Sequence, residues 1–296
     1  MEPVHAVLVS AEQVATFERS GAVKLAGLLD GGTAARLRAL LEVELGSAES
    51  GVGRDYDAYD KVKYGVDSTA ALVRAIVSSG AFQKAIHALI PRRLLYTQSV
   101  GFALGPGKGG LDWHFDLVSY AYIDPRSPAY TVWLPLTPID PRGQRGGMEY
   151  VGEDVYSGRD KMVLSARHFH EGPKVIAEVG GLDAYRSLMP CSPAEKVVLD
   201  RNRIEHAFAP GDALVFSRYV WHRSCPMHEG PVPRRLALTV RFVAADAIYD
   251  RTLCQKFGEF SVAYGNPGVK TSFGLSFDDL RDGDPMIRSR HAVDVF

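Results

Sequence analysis

His114 and Asp116, two positions apart in the run Trp113-His114-Phe115-Asp116, are the residues of this chain best suited to bind a metal. Side chains on extended backbone alternate, so the pair points to one side. An imidazole and a carboxylate placed this way make half of a metal site. A third donor is available in His222, far along the chain in "GDALVFSRYVWHRS". Two neutral imidazoles and one carboxylate on one face of an ion leave its remaining positions open, an arrangement that suits a non-haem Fe(II) oxygenase. Hydrolytic zinc sites use the same donors, and a binding module could keep such a pocket without catalysis, so these two readings stand beside the first.

Other candidate donors are weaker. His168 and His170 form a His-x-His pair in an irregular stretch with no third ligand after them, which favours a solvated or substrate-facing role. His206 and His228 have no partner pattern. Cys225 lies three residues after His222, but a soft thiolate beside oxygen chemistry would be oxidised. Three arginines crowd the next strand, "PRRLALTVRFV". Parity puts Arg235, Ala237, Thr239 and Arg241 on one face, with Leu236, Leu238 and Val240 on an apolar face that should pack against helices, and it turns Arg234 away from Arg235. An inward guanidinium matches a carboxylate through two parallel hydrogen bonds. In "AYTVWLPL" the same alternation makes Tyr130, Val132, Leu134 and Leu136 one apolar face and turns Thr131 and Trp133 the other way.

The elements that must position these residues are readable in outline. "LLYTQSVGFALGPGKGGLDWHFDLVSYAYI" is expected to be a strand, a Gly/Pro-rich loop and a second strand carrying the His-x-Asp pair. A Trp-bearing strand, a polar turn and Gly146-Gly147 follow, leading into a short apolar strand. A strand opened by Gly211-Asp212-Ala213 should deliver His222 to a rim. Upstream, 33–45 is an expected helix with Leu37, Leu40, Leu41 and Leu45 on one stripe and Thr33 as N-cap. Two more helices are expected at 69–78 and 81–90, the second stopping before Pro91. Helices first and strands later suggest a sheet sandwich buttressed by helices on one face. The weakly patterned 153–205 reads as an insertion acting as an active-site lid.

The order of segments from about residue 14 to 245 resembles the phytanoyl-CoA dioxygenase family of Fe(II)/2-oxoglutarate-dependent oxygenases. Its pattern runs His-x-Asp, a Trp-bearing strand with a Gly-Gly-Met turn, Gly-Asp-Ala before a histidine followed by x-Ser, then an arginine opening the next strand. The resemblance implies a double-stranded β-helix (jelly roll, cupin-like), mainly β with flanking helices. It implies Fe(II) on His114, Asp116 and His222, the far carboxylate of 2-oxoglutarate on Arg235, and Ser224, Trp133 and Gln98 lining that co-substrate's pocket. With O2 as second co-substrate, 2-oxoglutarate would be decarboxylated to succinate and CO2 as a C–H bond is hydroxylated or desaturated. Because Asp116 is present, no metal position is freed for halide, which disfavours halogenation. The chain departs from the pattern at two places. Ala103 and Leu104 stand where many members carry a lysine, and Phe115 replaces a frequent glutamine.

At 296 residues the chain can bury a sizeable core as one domain, divided into a helical N-terminal segment over 1–92, a jelly-roll core 93–245 and a C-terminal extension 246–296. With 34 basic and 35 acidic residues it shows no basic stripe for nucleic acid, and no apolar run is long enough to span a bilayer. The N-terminal sequence lacks signal-peptide features and the 3 cysteines, Cys191, Cys225 and Cys254, follow no metal-finger spacing, so a cytoplasmic protein with reduced thiols is expected. The expected partner is a small organic substrate. Tyr56, Tyr59, Tyr64, Tyr120 and Tyr122 are available as aromatic walls for it or as ordinary packing.

Overall fold

A computed structural model describes residues 7–47, 59–171, 191–256 and 277–295. It opens with a helix the periodicity did not announce, α1 (Ala11–Ser20), started by a reciprocal capping box between Ser10 and Gln13 and stopped at Gly21 with φ 70°. Strand β1 (Ala22–Leu25), helix α2 (Gly31–Ser47), strand β2 (Lys61–Tyr64) and helices α3 (Asp67–Val77) and α4 (Gly80–Leu89) follow. The cap of α2 is not Thr33. The Asp30 carboxylate accepts from the Thr33 amide and hydroxyl, at 2.9 and 2.5 Å, so the helix starts earlier than expected.

The strands are β3 (Leu94–Leu104), β4 (Ala129–Pro135), β5 (Met148–Val151), β6 (Ile204–Glu205), β7 (Ala213–Ser217), β8 (Trp221–Ser224), β9 (Arg235–Ala244) and β10 (Val293–Asp294). A seven-stranded antiparallel sheet runs β1-β7-β4-β9-β3-β10, with β2 also on β3, and a three-stranded sheet runs β6-β5-β8. These two facing antiparallel sheets with flanking helices are the expected jelly-roll class. The C-terminal segment is built into the large sheet, since β10 pairs with Tyr96 and Leu95 of β3.

The parity expected for β9 holds. Leu236, Leu238 and Val240 join Val132 and Leu134 of β4, and Leu136 just after it, in one cluster with Leu37, Leu41, Phe82 and Ile86 of the helices. Each leucine buried there contributes roughly 1.5–3 kcal/mol. The opposite face of the large sheet looks toward the small sheet and carries the polar residues discussed below.

Two expected strands take another form. The segment around His114 and Asp116 is irregular chain with a single bridge at His114, and it runs into a 3-10 turn at Val118–Tyr120. The run "GDALVFSRYVWHRS" is not one strand but two, β7 in the large sheet and β8 in the small one, because Arg218, Tyr219 and Val220 turn the chain between layers.

The insertion after β5 is helical where described. It comprises α5 (Glu153–Tyr156), α6 (Arg159–Glu171) and α7 (Pro193–Asn202), so His168 and His170 lie on a helix rather than in irregular chain. Residues 172–190 of the expected lid and 257–276 of the C-terminal extension lie outside the described residues. No helix among the described residues is long and apolar enough to cross a membrane.

Candidate metal centre

His114 and His222 face each other across an antiparallel bridge. The His114 amide donates to the His222 carbonyl at 3.0 Å, and the His222 amide donates back at 2.9 Å. A directly opposed pair carries its side chains on one face, and the two rings lie 4.2 Å apart. Two residues on, the Asp116 amide donates to the Arg218 carbonyl at 3.0 Å, so the turn between β7 and β8 also places the carboxylate. One donor atom from each of His114, Asp116 and His222 lies within 4.8 Å of the others.

Each donor is oriented by a second contact. Nδ1 of His114 lies 2.7 Å from the Asp112 carbonyl, and Nδ1 of His222 lies 3.0 Å from the Val220 carbonyl. A carbonyl only accepts, so both Nδ1 atoms carry the proton and both Nε2 atoms keep a lone pair for a metal. Burial, helped by His222, pushes His114 down to about 4, which keeps it neutral as a ligand. The Asp116 carboxylate accepts from Ser119 Oγ at 2.7 Å on one oxygen and from Thr131 Oγ1 at 3.0 Å on the other. Burial opposes its charge, but His222, Arg241 and His114 hold its pKa below the ordinary carboxylate value. A charged carboxylate beside two imidazoles whose Nδ1 atoms are taken up by carbonyls, leaving Nε2 for coordination, fits a divalent ion such as Fe(II).

The strand register shows what lies beside these donors. Gln98, Arg241, Thr131 and Phe216 form one row across β3, β9, β4 and β7. Thr131 bonds Asp116 and the Phe216 ring lies 4.8 Å from His222, so this row is level with the donors. Next come Val100, Thr239, Trp133 and Leu214. At the far end of β9 is Arg235, 3% exposed, with its guanidinium carbon 5.8 Å from the ring centroids of both Tyr59 and Trp133. Its Nε donates to the Gly146 carbonyl at 3.0 Å. Ser224 and Tyr59 share a 2.5 Å hydroxyl contact in this corner. Gly110, at φ 66°, passes so close to Ser224 that any side chain there would collide with it.

Of the residues expected to line a co-substrate pocket, Arg235, Ser224 and Trp133 therefore gather in one corner. Gln98 does not join them. It lies level with the metal donors and accepts from Arg241 Nη1 at 3.0 Å. A bulge between Tyr96 and Gln98 turns it inward, which strand alternation alone does not reveal. Sequence reasoning also missed Tyr59 as a neighbour of Arg235, and Ser119, Thr131 and Arg241 as neighbours of Asp116. Parity already put Thr131 and Arg241 on the right face.

The remaining candidates lie elsewhere. His170 Nε2 lies 2.9 Å from Asp250 Oδ2, tying α6 to the chain that follows β9. His206 Nε2 meets the Tyr150 hydroxyl at 3.0 Å. Cys225 sits with Glu149 and Glu205 rather than with His222, and burial pushes its thiol pKa up. Tyr120 spends its hydroxyl on the Tyr130 carbonyl and Thr131, Tyr122 donates to Thr97, and Tyr64 packs beside the core. Tyr56 lies outside the described residues.

The insertion's helices pack directly behind the donors. Tyr156 stacks on Trp221 at 5.9 Å and 10°, Phe115 meets the same ring edge-on at 4.9 Å, and Trp113 Nε1 donates to Asp200 at 2.9 Å.

Several solved structures share the fold. The non-heme alpha ketoglutarate dependent carbocyclase SnoK from nogalamycin biosynthesis aligns with TM-score 0.63 at 18% identity, covering 99% of each chain. The epimerase SnoN, in complex with Fe3+, alpha ketoglutarate and nogalamycin RO, aligns at 0.62 and 17%, covering 96% of this chain and 98% of that one. EctD from S. alaskensis, with 2-oxoglutarate and 5-hydroxyectoine, aligns at 0.58 and 14%, covering 84% and 83%. No curated protein sequence matches the chain. The sequence itself matches the phytanoyl-CoA dioxygenase family over residues 17–235, and with the jelly roll and the His114, Asp116, His222 cluster this places the chain in that family.

Proposed function

We infer that this protein is an Fe(II)- and 2-oxoglutarate-dependent oxygenase that hydroxylates or desaturates a C–H bond of a small organic substrate. The observation that carries the reading is the buried Arg235 guanidinium, on the same inward face as the row beside His114, Asp116 and His222 and ringed by Tyr59, Trp133 and Ser224. Arg235 would hold the far carboxylate of 2-oxoglutarate, and His114, Asp116 and His222 would hold the ion that takes its other end. The solved structures on this fold that carry Fe3+ with alpha ketoglutarate, or 2-oxoglutarate with 5-hydroxyectoine, support the same reading.

The ion on these donors would supply O2 activation coupled to conversion of 2-oxoglutarate to succinate and CO2. The chain's own residues bind, orient and exclude water. Carbonyls of Asp112 and Val220 fix both imidazole tautomers, and Ser119 and Thr131 hold the Asp116 carboxylate in one rotamer. The Gly146 carbonyl takes up Nε of Arg235 and the Tyr59 hydroxyl bonds the same side chain, which holds the guanidinium in place to pair with a carboxylate. Trp133, Phe208 and Phe216 pack in one buried apolar cluster beside these residues.

Arg235 and its neighbour test this reading. Arg235→Ala should raise the 2-oxoglutarate requirement about tenfold or more, because a buried bidentate partner is lost. Arg234→Ala, exposed and on the opposite parity, should change it far less, and both variants should retain iron. A reversal, with Arg234 carrying the effect, would contradict the inward register of β9.

A further inference from the structure

Arg241 is a second buried guanidinium on the inward face of β9, 5% exposed. One terminal nitrogen donates to Gln98, its Nε has no hydrogen-bond partner, and among the described residues no carboxylate forms an ion pair with it. It is not a second grip on the far carboxylate of 2-oxoglutarate. Six residues of strand set its Cα roughly 20 Å from that of Arg235, and its neighbours are Asp116, Gln98 and Tyr120 rather than Tyr59 and Trp133.

Charge balance then decides what it is for, on the reading of the site given above. Of the buried charged side chains among the described residues, Glu44, Glu149 and Asp212 pair with Lys63, Arg223 and Lys24, which leaves the carboxylate of Asp116 and the guanidiniums of Arg218, Arg235 and Arg241. Arg218 lies in the turn between β7 and β8, where its terminal nitrogens sit on the carbonyls of Tyr120, Asp124 and Ser127 and its Nε has no partner. A divalent metal and a doubly charged co-substrate cancel each other, and Asp116 offsets one guanidinium. Positive charge remains, and of the two guanidiniums with an unpartnered Nε, Arg241 is the one on the strand row level with the metal donors, opposite Thr131. A buried cation without an anion is costly, and the cost is offset when an anion arrives with its own hydrogen-bond acceptors.

We propose that Arg241, steadied by Gln98, receives an anionic group of the substrate, so that the enzyme acts on singly charged organic acids held beside the metal by their carboxylate. A carboxylate also exists on the metal-proximal end of 2-oxoglutarate, but its charge is already matched by the ion. The two sources are separable in one experiment.

The full-length protein is loaded anaerobically with Fe(II) and saturating 2-oxoglutarate. Calorimetry then compares acetate, benzoate and decanoate, each with its primary amide, in wild type, R241Q and R241K. Wild type should bind at least one acid about tenfold more tightly than the amide, a preference that R241Q loses and R241K partly keeps. Affinity for 2-oxoglutarate should stay within about threefold in both variants, since its grip is Arg235. Thermal unfolding of each variant separates lost charge from lost fold. The proposal is overturned if no acid is preferred over its amide or if R241Q keeps the preference. It is equally overturned if R241Q weakens 2-oxoglutarate about tenfold while acid binding is unchanged, because the carboxylate is then the co-substrate's own. Failure of the underlying functional reading looks different, as 2-oxoglutarate would then bind wild type no better than R235A.

Discussion

Arg145 sets the backbone that orients Arg235. Arg145 is the one non-glycine residue with positive φ among the described residues, at 59°. The next carbonyl, Gly146, is the acceptor for Arg235 Nε. The unfavourable backbone is held from the side chain, whose Nη2 reaches Glu149 at 2.8 Å and Glu205 at 2.9 Å. Such outliers persist only where surroundings over-determine them, and they concentrate at working sites.

Arg145→Ala should therefore raise the 2-oxoglutarate requirement several-fold, by about 1 kcal/mol, without loss of iron. Arg145→Gly removes the same ion pairs but tolerates the left-handed backbone, so it should recover some of the loss. Titration of 2-oxoglutarate against metal-loaded protein checks both. Equal damage in the two variants would mean that the side chain's charge, not the backbone it holds, is what matters.

Glu195 joins the helices of the insertion. It accepts from Lys161 on α6 at 2.6 Å and from the Tyr156 hydroxyl on α5 at 2.6 Å, while capping its own helix at Ser192. Burial opposes its charge, but bonds from Lys161, Tyr156 and Ser192 outweigh that and lower its pKa from 4.5 to about 2. The unfolded chain takes up this proton near 4.5 while the folded one resists to about 2, so its stabilisation is complete above 4.5 and drains away as pH falls toward 2. Denaturant midpoints of wild type and Glu195→Gln should differ at neutral pH and converge through that window. A gap independent of pH would remove the carboxylate from this role.

Arg218 is fully buried, at 0% exposed, and holds the carbonyls of Tyr120, Asp124 and Ser127 at 3.2 to 3.4 Å. Its own carbonyl takes the Asp116 amide. Replacing it by alanine strips three carbonyls of a charged donor and opens a cavity beneath the metal segment, which should cost roughly 3–5 kcal/mol. Equilibrium denaturation measures this. A change below about 1 kcal/mol would show that water can stand in for the guanidinium.

The clustering of His114, Asp116 and His222 was readable because period-two spacing needs only a few residues of extended chain, and the His114 to His222 bridge supplies that without a full strand. The inward face of β9 was readable for the same reason, since Leu236, Leu238 and Val240 mark the other face. Long-range arrangements were not. Tyr59 reaches Ser224 from a segment far off in sequence, and Gln98 turns inward through a bulge that local alternation cannot show. The break between β7 and β8 was hidden because Phe216 through Trp221 is apolar enough to pass for continuous strand, although Arg218 inside it is the residue that turns the chain. The start of α1 was present as Ser10-x-x-Gln13 and is a signal that apolar periodicity alone passes over.

The measurement closest to the central claim is succinate formed from 2-oxoglutarate by wild type and Asp116→Ala, with Fe(II) and with Zn(II), in air and under nitrogen. The account predicts succinate from wild type only when Fe(II) and O2 are both present, and none from Asp116→Ala, because two neutral imidazoles hold a hard divalent ion poorly. Succinate formation by Asp116→Ala at the wild-type rate, or turnover by wild type with Zn(II) under nitrogen, would contradict it.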